Sequence, residues 1–130
     1  MPLTQIRTPF VALTCLLIAV TFALTAQAAS RFNSKAFETA QASGQTILID
    51  VTAPWCPTCR RQRPILQSAQ KENPKLVVFE VDFDTAKDVL RRFRVSQQST
   101  LIVFRGKKEM GRSTGDTDPA SIRRLVARGF

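Results

Sequence analysis

The sequence predicts a single α/β domain in which helices flank a mixed β-sheet of about four strands. Apolar, β-branched stretches of strand length alternate with segments of helical spacing, a pattern that favours parallel strands joined by helical crossovers. The last two predicted strands are separated only by Arg105-Gly106-Lys107-Lys108, which favours an antiparallel hairpin. A chain of 130 residues has room for one such domain.

The first half of the domain contains three predicted elements. A helix over residues 33–41 is expected because Asn33 can cap its first turn. Residues 46–52 are apolar and β-branched with one exception, which predicts a buried strand. Residues 56–72 have helical spacing, and Pro64 should kink this helix.

Turn signals divide the second half in the same way. The predicted elements are a strand over residues 76–83, a helix over 85–93, strands over 100–104 and 109–113, and a helix from residue 118. The turn Asn73-Pro74 precedes the first of these. Asp118 is the expected cap of the last helix, with Pro119 at the first helical position, which proline favours.

Residues 1–28 have the layout of a secretory signal peptide. Residues 10–26 are almost entirely apolar and are followed by the small-x-small site Ala26-Gln27-Ala28. Cleavage after Ala28 would leave residues 29–130 as an exported, periplasmic domain. The alternative is an uncleaved membrane anchor, because the apolar run lies at the lower edge of what spans a bilayer.

Composition excludes several kinds of function. The chain has no histidine, which rules out hydrolases with a Ser-His or Cys-His pair and metal sites with histidine ligands. Its formal net charge of +9 favours acidic partners or an anionic membrane surface. We expect no nucleic-acid partner, since no DNA- or RNA-binding motif is visible. We also expect a monomer.

Two cysteines two residues apart, Cys56 and Cys59, lie between a predicted strand and a predicted helix. Cys56 would begin the helix, where unpaired N–H groups and the helix dipole lower a thiol pKa. Cys59, one turn later and deeper, could then resolve a mixed disulfide. A zinc site would need four ligands, and a bridge across so short a loop would stabilise the fold little. Metal binding or a structural staple therefore remain weaker alternatives.

The segment over residues 46–64 resembles the active-site segment of the thioredoxin superfamily: an apolar strand, Asp, Trp-Cys-x-x-Cys, then a proline five residues on. The likeness extends from about Phe32 to the end of the chain. It implies a thioredoxin-like fold and exchange of disulfides with protein substrates, without a cofactor or metal. The Trp-Cys-Pro-Thr-Cys form is similar to exported members, including those that reduce apocytochrome c.

The resemblance also implies roles for single residues. Trp55 would pack beside the nucleophile Cys56 and limit access to it. Asp50, the acid within the first predicted strand, would take the proton of the resolving thiol of Cys59. Glu80 stands where the family commonly has lysine; it either faces Asp50 or lies in solvent on the other side of its strand.

Ser99 departs from the family pattern, which has a cis-proline at this position. A cis bond before a residue other than proline costs about 2.5–4 kcal/mol, so we expect a trans Gln98–Ser99 peptide. The Ser99 hydroxyl could donate to a Cys56 thiolate, or Ser99 could be an ordinary loop residue.

Three arginines, Arg60, Arg61 and Arg63, follow the cysteine pair. They could stabilise a thiolate or dock an acidic partner, or simply form a solvated face. The sequence therefore predicts a thiol–disulfide oxidoreductase, more specifically a disulfide reductase supplied by a membrane electron-relay protein. The alternative function is a redox-inert binding module, either a metal carrier or a chaperone, which the change at Ser99 keeps open.

Overall fold

The computed structural model describes residues 28–130, which form one α/β domain. Its elements are β1 (Ser30–Arg31), α1 (Ser34–Ala42), β2 (Thr46–Thr52), α2 (Pro57–Glu72), β3 (Val77–Asp82), α3 (Lys87–Phe93), β4 (Thr100–Arg105), β5 (Lys108–Thr114) and α4 (Pro119–Ala127). The predicted order is confirmed, and the two-residue strand β1 is added to it. The proposed signal peptide lies outside the described residues except for Ala28.

The sheet is mixed and has the strand order β1-β3-β2-β4-β5. The strands β1, β3 and β2 are parallel, whereas β4 is antiparallel to both β2 and β5. The predicted hairpin between the last two strands is therefore confirmed. Because β2 lies at the centre of the sheet, the segment that follows it starts from the most firmly held strand.

Helices cover both faces of the sheet, as the alternation of elements predicts. Ile47, Ile49 and Val51 of β2 belong to the cluster packed under α1 and α3, and Leu48 belongs to the cluster under α2 and α4. Successive side chains of a strand point to opposite faces. Asp50, two residues after Leu48, therefore faces α2.

Phenylalanines fill the core between the sheet, α1 and α3. The ring of Phe37 lies 5.3 Å from that of Phe93 and 5.6 Å from that of Phe104, measured between centroids. Phe32 and Phe79 complete the cluster. This aromatic packing stabilises the face of the sheet opposite Asp50. The apolar core under α1 and α3 and the acidic side chain of Asp50 therefore lie on different faces of the sheet.

Capping side chains fix the helix ends. Asn33 accepts the Ala36 N–H at 2.9 Å, and Asp118 accepts the Ser121 N–H at 2.8 Å, as predicted. The third helix begins at Lys87 instead of residue 85, because the Asp82 carboxylate accepts the N–H groups of the next turn and holds it outside the helix. Between residues 28 and 130, no helix has the length and apolar character needed to cross a bilayer.

Candidate active site

The cysteine pair lies at the junction of β2 and α2. β2 ends at Thr52, and the Cys56 N–H donates to the Ala53 carbonyl at 3.2 Å, which closes a turn. Pro57 then takes the first position of α2, so that Cys56 is the cap of the helix. Cys56 and Cys59 form a disulfide with their Cα atoms 5.3 Å apart.

The position of Cys56 favours negative charge on its sulfur. The Cys59 N–H donates to the Cys56 Sγ at 3.0 Å, in place of the oxygen acceptor that usually caps a helix. The positive end of the helix dipole acts on the same atom. After reduction of the disulfide, this arrangement stabilises a thiolate at Cys56 better than at Cys59.

Both cysteines are buried in this oxidised state, Cys56 to 1% exposure and Cys59 to 4%. The expectation that Cys59 lies deeper than Cys56 is therefore wrong for the disulfide form, because the cap position turns the Cys56 sulfur onto the helix end. Phe83 packs against the pair. Trp55 is about half exposed, and its indole N–H donates to an Asp84 carboxylate oxygen at 2.8 Å.

Asp50 and Glu80 meet beneath α2. They are register partners on the parallel strands β2 and β3 and line the same pocket of about 380 Å³. Glu80 therefore faces Asp50, which decides between the two orientations left open by the sequence. Burial first, and the charge of Glu80 second, raise the pKa of Asp50 to about 7, although the charge of Arg63 opposes the rise. Among the described residues, Asp50 Oδ1 has no hydrogen-bond partner.

The three arginines after the cysteine pair are all exposed, but two of them lie near the acids. Arg63 lines the pocket that contains Asp50 and also a second one of about 340 Å³, where Arg60 and Glu80 meet. The charge of Arg63 lowers the pKa of Asp50. At least part of this basic run therefore acts on the acid pair, and Arg61 stays in solvent.

Ser99 has a left-handed backbone conformation, with φ of 57°. None of the described peptide bonds is cis, so the Gln98–Ser99 bond is trans. The Ser99 N–H donates to the Val51 carbonyl at 2.7 Å, and the Ser99 carbonyl accepts the Gly115 N–H at 3.0 Å. These two bonds fix the loop to the end of β2 from which the cysteine segment departs.

The Ser99 hydroxyl donates to the Gln98 carbonyl at 2.6 Å. In the oxidised protein it is therefore engaged with its own loop. The suggested hydrogen bond from Ser99 to a Cys56 thiolate stays a prediction for the reduced state.

Two residues of the site were missed by the sequence analysis. Gln62 is buried in α2 and donates to the backbone carbonyls of Ser99 and Asp116. The feature that could have indicated it is a polar side chain on the inward face of the helix, three residues after Cys59. Asp84, the partner of Trp55, gave no comparable signal, because a surface acid in a loop is common.

Within residues 28–130, no three or more histidine, cysteine or acidic side chains cluster in a way that could hold a metal ion. The site contains a cysteine pair at the start of a helix and a buried carboxyl group behind that helix. The surrounding fold has parallel strands and one antiparallel hairpin. Together these define the class of thiol–disulfide oxidoreductases.

The chain belongs to the thioredoxin family, since the family model for thioredoxin matches residues 28–128. Thioredoxin of Echinococcus granulosus is 35% identical over 91 residues, covering 70% of this chain and 84% of that protein. Thioredoxin of Chlamydia trachomatis is 35% identical over 82 residues, covering 63% of this chain and 80% of that protein. The resemblance inferred from residues 46–64 is thereby confirmed.

Solved structures agree. The crystal structure of Trxlp from Edwardsiella tarda EIB202 is 44% identical, with a TM-score of 0.70 over 76% of this chain and 98% of that one. Fasciola hepatica thioredoxin, at 23% identity, shares the fold with a TM-score of 0.69 over 79% of this chain and all of that one. The family match and the cysteine pair together make the protein a protein-disulfide oxidoreductase.

Proposed function

We propose that the protein is an exported disulfide reductase in which Cys56 is the nucleophile, Cys59 the resolving thiol and Asp50 the proton acceptor. The Cys56 thiolate attacks one sulfur of a substrate disulfide and forms a mixed disulfide, releasing one substrate thiol. Cys59 gives its proton to Asp50 and attacks the Cys56 sulfur, which releases the second substrate thiol. Two electrons pass to the substrate, and the Cys56–Cys59 disulfide remains.

The observation that supports the proton step is the state of Asp50. This carboxyl group is 8% exposed, has no partner for Oδ1 among the described residues, and has a pKa raised to about 7. A group with a pKa near the operating pH can both accept and release a proton, which is what an acid–base residue needs. An ion-paired structural aspartate would instead have a lowered pKa.

The same acids support the reducing direction. A couple is strongly oxidising when its reduced form is stabilised, and thiolate stabilisation is one way to achieve this. Negative charge on Asp50 and Glu80 beneath α2 opposes a thiolate. Arg60 and Arg63, which could have favoured the thiolate, line pockets together with Glu80. The position of these two acids supports the reducing direction.

Export and the electron source belong to the same proposal. The signal-like segment over residues 1–28 supports export. A reductant in an oxidising compartment must be reduced again after each turnover, so we propose a membrane electron-relay protein as its donor. Mass spectrometry of the exported protein tests the first point: a mature chain that begins at Ala29 is expected, and a full-length mass would mean an anchor.

The reduction potential of the Cys56–Cys59 pair tests the direction. The protein is equilibrated in graded glutathione buffers and followed by the fluorescence of Trp55, the only tryptophan. A midpoint near the thioredoxin value of about −270 mV supports a reductase. A midpoint near about −120 mV would mean an oxidant. A variant with both cysteines changed to serine is the control and should show no transition.

A further inference from the structure

Gln62 connects the helix that carries Cys59 to two loops. Its side chain is only 1% exposed. The Nε2 group donates to the Asp116 carbonyl at 2.8 Å and to the Ser99 carbonyl at 3.2 Å. The reversed amide would place Oε1 against both carbonyl oxygens, so this network also fixes the orientation of the amide. One side chain thus uses both of its N–H groups to tie two loops to α2.

The other half of the amide is unsatisfied. Gln62 Oε1 is buried and has no hydrogen-bond partner among residues 28–130. An unpaired buried acceptor costs free energy, and an apolar side chain of similar length would avoid that cost. The advantage of glutamine over an apolar side chain at this position is therefore its two N–H donors.

The loop that Gln62 holds is strained. Ser99 has a φ of 57°, a conformation that residues other than glycine keep only where the surroundings over-determine it. Three hydrogen bonds do so here: one from the Ser99 N–H to Val51, and two onto its carbonyl from Gly115 and Gln62.

Both loops lie at the sheet edge where the disulfide is. Thr100, which follows Ser99, pairs with Val51 near the end of β2 and with Thr114 of β5. The cysteine segment leaves the same end of β2, and Asp116 follows the end of β5. The two loops therefore border the end of the sheet to which a protein chain must bring a disulfide for reaction at Cys56.

We propose that Gln62 is a positioning residue for protein substrates: its amide holds the Ser99 and Asp116 loops in the shape against which a protein substrate docks beside Cys56. This rests on the proposed function, namely reduction of protein disulfides at Cys56. Gln62 takes no part in the sulfur chemistry. A small disulfide that reaches Cys56 without resting on the loops does not depend on it.

Gln62→Met in the full-length chain tests this, because methionine has a similar length and no N–H donor. Insulin serves as the protein disulfide and 5,5′-dithiobis(2-nitrobenzoate) as the small one. The KM for insulin should rise about tenfold, the equivalent of losing two net hydrogen bonds. The rate with the small disulfide should change less than about twofold, the range of a near-neutral substitution. Gln45→Met, an exposed site directly before β2 and at the opposite end of that strand from the cysteines, is the matched control and should change neither value.

The outcomes separate the two proposals. If Gln62→Met leaves the ratio of insulin to small-disulfide activity unchanged, the proposed role of Gln62 is overturned, whether both activities are retained or both fall equally. Wild-type protein that reduces neither disulfide refutes the proposed function instead.

If Gln62→Met does not fold by far-UV circular dichroism, Gln62→Glu replaces it. A protonated carboxyl keeps one donor, whereas an ionised one repels both carbonyls. Relative to wild type, the insulin-to-small-disulfide ratio should therefore fall as pH rises, and a ratio that does not respond to pH overturns the proposal.

Discussion

Asp50 and Glu80 lie opposite each other on the parallel strands β2 and β3, with both side chains on the face that α2 covers. Burial is the largest cause of the raised pKa of Asp50, and the neighbouring carboxylate adds to it. Arg63 opposes the rise without cancelling it. Burial, assisted by a second acid in the adjacent strand, thus brings the pKa of Asp50 close to neutral pH.

Asp50→Asn should remove a pH dependence of stability. The pKa of Asp50 is raised from 3.8 to about 7, so the folded protein retains a proton that the unfolded chain releases. The contribution of Asp50 to the free energy of unfolding is therefore greatest below about pH 4 and is lost as pH rises to about 7. Above pH 7 the variant should be more stable than wild type, by up to about 4 kcal/mol. Urea unfolding of the oxidised proteins from pH 4 to 8 measures the difference, and parallel curves would contradict it.

The same substitution should slow the resolving step. Without an acceptor for the Cys59 proton, the mixed disulfide with substrate should persist about 10²-fold longer, the lower end of general-base effects. Trapping by acid quench and mass spectrometry measures its lifetime. Equal lifetimes in both proteins would show that Asp50 is not the acceptor.

Glu80→Gln should move the pH dependence of Asp50 to lower pH. The substitution removes a negative charge that raises the pKa of Asp50 and leaves the side-chain size almost unchanged. The midpoint of the stability change described above should therefore fall. Glu38→Gln is the control, since Glu38 is an exposed residue of α1 on the other face. If both variants behave alike, the coupling between Asp50 and Glu80 is absent.

Ser99→Pro should destabilise this chain, although proline is the residue that the family has there. Proline cannot adopt a φ of 57° and has no N–H for the bond to the Val51 carbonyl. A loss of at least about 1 kcal/mol is expected, since such a replacement outweighs the entropic gain. Ser99→Ala, which removes only the hydroxyl, is the comparison. A gain in thermal stability for Ser99→Pro would mean that the loop readily adopts a different conformation.

Processing after Ala28 should lower the pKa of Asp50. Ala28 and Ala29 line the pocket that contains Asp50 and Glu80. A chain that begins at Ala29 would place an α-ammonium group in that wall, and a nearby positive charge favours the carboxylate. The pH midpoint assigned to Asp50 should therefore be lower in the processed chain than in the full-length one. Acetylation of the new amino terminus should reverse the shift, and the absence of any shift would contradict the prediction.

Periodicity and turn chemistry were sufficient to predict most of the fold. The strands were predicted because apolar, β-branched runs stand out from their surroundings, and the helix caps Asn33 and Asp118 because their side chains satisfy local N–H groups. The strand β1 was missed since two residues have no periodicity of their own and are strand only through pairing with β3.

The parts of the site that lie within one short sequence motif could be predicted. The cysteine pair and its position at a helix start follow from residues 46–64. Contacts between residues distant in the chain could not be predicted from the sequence. The orientation of Glu80 depends on the register between β2 and β3, and the hydrogen bonds of Gln62 reach loops 37 and 54 residues away. The burial of Cys56 likewise depends on packing by Phe83.

Burial of both cysteines has a kinetic consequence. Thiol–disulfide exchange needs a thiolate in line with a sulfur atom, and both cysteines of the oxidised pair are almost wholly buried. Free small thiols should therefore reach equilibrium with this disulfide slowly, while a protein that first docks and displaces the cover reacts fast. The oxidation state of the cysteine pair would then depend on its protein partners and respond little to changes in the concentration of small thiols.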